Sequence, residues 1–432
     1  MNQPSTSTPT LIHNGRCCDP ATNQEWVGDL YLADGKIAAQ PDDLPPGTRI
    51  VDATGCLVTP GLIDVHVHLR EPGGETAETI ASGAAAAAAG GFTTIVAMPN
   101  TQPPIDTPKG VRYVLDGGRQ AGATRVLTTA CLTTGRAGTA VAPLAELAAA
   151  GAVAFTDDGC TVQDDAIMRT AMQRAAQLGV PVMDHAQDRV MECQGGALHA
   201  GRRAAAWGWP GIPAEAETRI VARDIALARE TGAALHIQHV SCAASVDLIA
   251  DAQQTGVRVT AEATPHHLWF CEDDIDPARP DAYKMNPPLR TAADRGRLQS
   301  GVCEGTLALF ATDHAPHPMA EKAKGFVAAP FGVVGLETAM AATYSLLVAT
   351  ERMPLMRWLR AWTTAPAQLI NRPAPSLAVG QTADVTVFDL GVDWQVVADH
   401  FVSRGRNTSF AGQQLTGKVK AVFVDGWRID SR

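Results

Sequence analysis

The chain has 432 residues, 46% hydrophobic and 19% charged, with 39 Gly and 28 Pro, a balance that suits a folded α/β protein and is too apolar for disorder. A formal net charge of −10 argues against a basic face for nucleic acid or an anionic membrane, and no run of about 18 apolar residues is long enough to span a bilayer. The nine cysteines are odd in number and contain no C-x-x-C pair, which points to reduced thiols in a cytoplasmic protein; any metal would have to be held by His and carboxylates.

In chain order, the first 60 residues read as short strands: "LIHNG", then "DLYLADGKIAA" with the hairpin pair Asp34-Gly35, then "GCLVTPG". The same texture returns near the C-terminus in "ADVTVFDL" and "KVKAVFVDGWRI". Residues 1–59 and 373–432 are therefore expected to pair into one small composite β-domain. Between them, over 60–372, β-branched runs alternate with Ala- and Leu-rich helical stretches, the pattern of βα units around a parallel sheet. Eight strands are predicted, at 61–69, 93–98, 125–131, 152–156, 181–185, 234–239, 257–263 and 307–313. Helices are predicted over 81–91, 163–178 and 215–231. Eight strands suggest a closed TIM-type (β/α)8 barrel, with room for extra elements between strands five and six and between strands seven and eight.

Barrel enzymes build their sites at the C-terminal ends of the strands. Here those ends carry His66 and His68 (first strand), Asn100 (second), Asp157 and Asp158 (fourth), His185 (fifth), His239 (sixth), Glu262 to His267 (seventh), and Asp313, His314 and His317 (eighth). His66 and His68 are two apart, so strand alternation turns both inward, with Val65 and Val67 outward. Together with Asp158, His185, His239 and Asp313 they form a set of N and O donors that suits zinc. Asp313 is the candidate general base for attack on an amide. Arg70, two residues past the histidine pair, is placed to grip a carboxylate in two parallel hydrogen bonds. His13, His199, His236, His314 and His400 read as structural, while His266 and His267 could support the site from behind. Segment 315–332 reads as a mobile loop over the barrel mouth.

At this point the chain resembles a known family. "DVHVHLREPG" and "ATDHAPHPMAEK" are similar to the two signature regions of dihydroorotases, within the cyclic amidohydrolase superfamily; "AMPNT", "FTDDG", "EATPHHL" and "KMNPPLR" resemble the bacterial long-chain form. The resemblance implies a zinc-dependent barrel, with one or two ions, that interconverts N-carbamoyl-L-aspartate and L-dihydroorotate in pyrimidine synthesis. It implies His66, His68, Asp158, His185 and His239 as zinc ligands, with Asp313 as catalytic base and further ligand. Arg70, Asn100 and His317 would hold the substrate carboxylate, and Asn286, Phe331 and Gly332 would contact the ring. A homodimer and association with aspartate transcarbamoylase are among the expected partnerships. The alternatives are another cyclic amidase, an allantoinase or hydantoinase, or a non-catalytic scaffold for aspartate transcarbamoylase. Two departures stand out: "AVAFTDDG" has no lysine that could be carbamylated to bridge two metals, leaving Asp158 to do so, and position 187 is Gln where close relatives would carry an acid.

Overall fold

The computed structural model describes residues 7–192 and 195–430. Cys193 and the outermost residues of both terminal segments lie outside the described residues. β1 (Thr10–Asp19) pairs antiparallel with β2 (Gln24–Ala33), which turns at Asp34-Gly35 into β3 (Lys36–Ala38). Both turn residues have positive φ, 49° and 74°, the backbone that matches a hairpin turn to the strand twist. β4 (Arg49–Asp52) and β5 (Cys56–Pro60) run parallel to β1.

One residue, Gly61, separates this sheet from the barrel; a Cβ there would lie 2.0 Å from Thr93 Oγ1. β6 (Leu62–Val67), β7 (Phe92–Ala97) and β8 (Arg125–Thr128) form one parallel run. β9 (Val182–Asp184) follows, and β10 (Leu198–His199) and β11 (Gly211–Ile212) make a small separate pair. β12 (Leu235–Ile237), β13 (Val259–Ala263) and β14 (Leu309–Phe310) complete a second parallel run with β9. Phe155 bridges Ala130 and Val182, and His314 bridges Val67, so the two runs close into a ring. The fourth predicted strand survives as little more than that bridge, held by Val153 N–H to Thr128 O and Thr156 N–H to Ala130 O.

After the barrel the chain returns to the first sheet as β15 (Val385–Gln395), β16 (Gln414–Val424) and β17 (Trp427–Ile429). β15 lies antiparallel on β5, with Thr386 opposite Thr59. The spatial order is β17-β16-β15-β5-β1-β2-β3, with β4 on β1. Ile12, Leu32, Ile37, Val58, Val385 and Phe423 fill its core.

The predicted outward position of Val65 needs correction. The β6–β7 register slips between Asp64 and Val67, a bulge that breaks strict alternation. Val65 joins Ile63, Val96, Met98, Leu127, Met183 and Leu309 in one cluster; residues from strands all around the ring can meet only inside it. Val67 belongs with the helix-facing core. Asp64, opposite Ile95, accepts from the Thr312 backbone N–H (3.2 Å) and hydroxyl (2.6 Å), tying the first strand to the end of the eighth.

Helices cover the ring. Asp165–Leu178 starts at Asp164, whose carboxylate accepts from Ala166 N and Ile167 N, satisfying two of the free N-terminal donors. Glu215–Thr231 stops at Gly232, φ 70°. Ile80–Ala89 opens with a reciprocal Thr79/Ser82 cap, and its small residues are needed: a Cβ on Gly83 would sit 2.4 Å from Leu69 Cδ2. The long intervals hold extra elements, including Arg202–Trp207 before β12, and Pro265–Trp269 and Ala292–Glu304 before β14. Segment 315–332, expected to be a bare mobile loop, contains a helical turn at Met319–Lys322 and is packed down, with Phe326 stacked on Trp209 at 4.5 Å. Among the described residues, no helix is long and apolar enough to cross a membrane.

Candidate metal centre and active site

The strand ends converge. His66 Nε2 lies 3.4 Å from Asp158 Oδ1 and 3.5 Å from Asp313 Oδ1. His68 Nε2 is 2.9 Å from Asp313 Oδ1 and 3.7 Å from Asp158 Oδ2, and His185 Nδ1 is 3.7 Å from Asp158 Oδ1. His239 completes the cluster, its ring 4.5 Å from that of His185 and 5.1 Å from that of His66. Two triads, His66–Asp158–His239 and His66–His68–Asp313, have donor atoms all within 4.8 Å of one another. Arg70, His239 and Asp313 have φ of 59°, 31° and 46°. Such backbone is costly for residues with a Cβ and concentrates where a site needs side chains aimed.

The donors fit a cation. His66 Nε2 is buried and has no hydrogen-bond partner, while its Nδ1 meets the Glu262 carboxylate at 2.7 Å. A carboxylate only accepts, so the ring proton sits on Nδ1 and the Nε2 lone pair faces the cluster. His185 is set by the same logic: Nε2 gives its proton to Gln187 Oε1 at 3.0 Å, freeing Nδ1. Burial opposes charge on His66, but Glu262, Asp313 and Asp158 outweigh it and hold its pKa well above the ordinary value. Burial would likewise favour protonated Asp158, yet the close approach of His185 and His66 holds it well below the carboxylate range. Glu262 is pulled down to about 2, since His66 and His236 overcome its burial. His239 is kept neutral by burial and by His185 and His66. Buried carboxylates drawn against these imidazoles make a pocket that favours positive charge, whether carried as a proton on His66 or by a bound cation.

A cavity of about 200 Å³ opens beside these groups, lined by His68, Arg70, Asn100, Asp158, Gly159, His185, His239, Asn286, Asp313, Ala315, Phe331 and Gly332. Arg70 does not pair with Glu71 or Glu75. Glu71 accepts from Ile80 N (2.9 Å) and Tyr113 Oη (2.8 Å), and Glu75 from Gly73 N (2.8 Å). Burial lowers Arg70 only to about 10, so it stays charged at neutral pH. Its Nε donates to Pro316 O at 3.2 Å. His317 Nε2 must carry a proton to reach Phe331 O at 2.7 Å, so it cannot accept from Arg70 Nη2, 3.2 Å away. Burial and then Arg70 push His317 down to about 3. It stands behind Arg70 rather than in the cavity wall. Asn100 is committed at both ends: Oδ1 to His68 Nδ1 and Nδ2 to Asp158 Oδ2, each at 2.9 Å. Asn286 touches His185 Nε2 at 3.2 Å, and the other end of its amide is buried without a partner.

A family model described as Dihydro-orotase-like matches residues 55–245. A curated dihydroorotase of Solibacter usitatus (strain Ellin6076) is 42% identical over 419 residues, covering 97% of each chain. One from Geobacillus sp. (strain WCH70) is 47% identical over 401 residues, 92% of this chain and 93% of the other. The chain belongs to the dihydroorotase family. Among solved structures, the L-hydantoinase (dihydropyrimidinase) of Arthrobacter aurescens superposes with a TM-score of 0.84 at 27% identity, covering 97% of this chain and 95% of that one. Dihydropyrimidinase from Brevibacillus agri NCHU1002, at 24% identity and a TM-score of 0.82, shares the fold.

Several residues that support this dihydroorotase-family site are ones sequence reasoning left without a role. Glu262 joins His66 to His236 Nε2 (3.0 Å) and takes the His239 N–H (3.1 Å). His236, read as structural, is thus the far end of a chain that orients a candidate ligand. Gln187 orients His185. Gln187 follows His185 by two residues, and Glu262 ends the strand paired with the one that leads to His239, so each stood beside a candidate ligand, the first in sequence and the second in strand order. His267, expected to support the site from behind, spans Thr264 Oγ1 (2.7 Å) and Pro287 O (2.9 Å), bracing the segment that carries Asn286.

Proposed function

We propose that the chain is a dihydroorotase, reversibly cyclising N-carbamoyl-L-aspartate to L-dihydroorotate in pyrimidine synthesis, with zinc as its metal. The observation that carries this reading is a half-buried, charged Arg70 lining one small cavity together with His68, Asp158, His185, His239 and Asp313. A hydantoin ring brings no carboxylate, whereas dihydroorotate brings one for Arg70 and a cyclic amide for the cluster. The retained donor set argues against a non-catalytic scaffold.

Zinc would be held by His66 Nε2, His68 Nε2, His185 Nδ1, His239, Asp158 and Asp313, where it supplies Lewis-acid polarisation of the ring carbonyl and a lowered pKa for water. Asp158, within 3.7 Å of three of these histidines, is the group that could serve one ion or two. The remaining work falls to protein groups. Arg70 fixes the substrate carboxylate and so the angle at which the ring meets the cluster. The free end of the Asn286 amide is available to a polar atom of the ring. Asp313 takes the proton from the attacking water and returns it to the leaving ring nitrogen; the synthetic direction runs the same transfers in reverse. Purified protein assayed with dihydroorotate, allantoin and hydantoin, alongside zinc stoichiometry, tests the reading. Turnover confined to hydantoin, or protein that holds no zinc, would overturn it.

A further inference from the structure

Lys322 is among the largest side chains with no exposed surface. Lysine is almost never fully buried without an acidic partner, yet among the described residues Lys322 forms no ion pair. Its Nζ instead donates to three backbone carbonyls: Gly332 O at 3.0 Å, Pro330 O at 3.1 Å and Lys284 O at 3.3 Å. An ammonium has three protons, and each has one acceptor. The three carbonyls come from two of the chain segments that line the cavity: Lys284 stands two residues before Asn286, and Pro330 and Gly332 flank Phe331.

Gly332 shows how tightly that wall is drawn. Its φ is +127°, and a Cβ would lie 2.6 Å from Ala315 Cβ and 3.2 Å from His317 Nε2. Its N–H donates to Lys284 O at 2.9 Å, and its carbonyl takes a second donor, Asn407 Nδ2, at 3.0 Å. We propose that Lys322 is a positioning residue of the active site, its buried ammonium pinning the Phe331–Gly332 backbone against the Lys284–Asn286 segment so that the two walls meet the substrate ring at a fixed separation. This rests on the reading of the cavity as the dihydroorotate site. Keeping charge there is costly: burial pushes the amine down to about 7, Lys284 adds repulsion, and Asp281 only partly offsets both. Such a cost is consistent with a group retained for geometry rather than for stability.

The test compares wild type with Lys322→Met, which keeps the bulk without the donors, and Lys322→Ala, which leaves a cavity. For Lys322→Met the expected result is unchanged zinc content and a KM for dihydroorotate that rises at least ten times more than kcat falls, the signature of lost uniform binding. n-Propylammonium should restore the KM of Lys322→Ala where n-propanol does not. Hydrogen exchange across 325–333 should quicken at least tenfold at the Gly332 amide in Lys322→Met, whatever the substrate. A KM within twofold of wild type, rescue by propanol as well as by propylammonium, or unchanged exchange at Gly332 would overturn the proposal. Wild type unable to turn over dihydroorotate would instead overturn the functional reading, and the exchange measurement would still decide the role of Lys322.

Discussion

Replacing Glu262 by Gln changes one atom of a side chain outside the cavity lining and should nonetheless weaken metal binding. The carboxylate is fully buried, 2.7 Å from His66 Nδ1 and 3.0 Å from His236 Nε2. Because both its oxygens accept, both histidines must donate to it, and His66 is left with a bare Nε2. Glutamine offers one acceptor and one donor. If its amino group faces His66, the imidazole proton moves to Nε2 and blocks coordination. If its carbonyl faces His66, the amino group meets His236 Nε2, which must pass its proton round to Nδ1 beside Thr260 Oγ1 at 2.8 Å. In both cases the negative charge that raises the basicity of His66 is gone. Outer partners of metal-bound histidines are worth about 10–100-fold in metal affinity, or about 1.4–2.8 kcal/mol at ~1.4 kcal/mol per tenfold. Zinc affinity measured by competition with a chromophoric chelator should fall by that factor in Glu262→Gln, with turnover partly regained in excess zinc. An affinity within twofold of wild type would refute the orienting role.

Asp313→Asn should lower turnover of dihydroorotate by about 10²–10⁴-fold, the usual yield of a positioned acid–base group; steady-state rates near wild type would exclude Asp313 as the proton carrier. Arg70→Met should raise KM for dihydroorotate by roughly 10–100-fold, as expected for losing hydrogen bonds to a charged group worth about 1.5–3 kcal/mol. Residual activity on an uncharged hydantoin should not change, and an equal loss on both substrates would contradict a carboxylate clamp. Burial pushes Glu337 up to about 7 from an ordinary 4.5. The folded chain therefore holds this proton more tightly than the unfolded chain, and its contribution to stability is full below about pH 4.5 and is lost as pH rises through 7. Thermal melts from pH 5 to 8 should show Glu337→Gln with a flatter decline than wild type; parallel curves would remove Glu337 from the account.

The barrel and the added sheet were legible because alternating β-branched and Ala-rich segments obey simple periods, and because similar strand texture recurs at both ends of the chain. Strand-end reading also brought His66, His68, Asp158, His185, His239 and Asp313 to one face of the ring. What it could not see was set by tertiary contact. Ile63 and Val65 share the interior face, and the break in alternation that brings His66 to the cluster beside them depends on the register slip between β6 and β7. Spacing put Asn100 at a strand end and His317 in the segment beyond, but not the way an amide or a ring turns: Asn100 reaches His68 and Asp158, and His317 reaches Phe331 O. Glu262 was in plain view in "EATPHHL", but its use requires His66 and His236 from two other strands. Lys322 reads as one more charged residue in a polar loop, since nothing local tells a buried ammonium from a solvated one.

The passage from β5 into β6 through Gly61 has a consequence for how the molecule is made. One edge of β5 lies on β1 and the other on β15, and the whole barrel intervenes in the chain between β5 and β15. During synthesis the first strands emerge early, while the partner for the open edge of β5 emerges only after the barrel helices. Throughout that interval the nascent chain presents an unpaired row of N–H and C=O groups, the kind of edge that recruits other chains. Shortening the protein ahead of β15 would make that interval permanent, leaving a near-complete barrel attached to a strand that pairs with its neighbours.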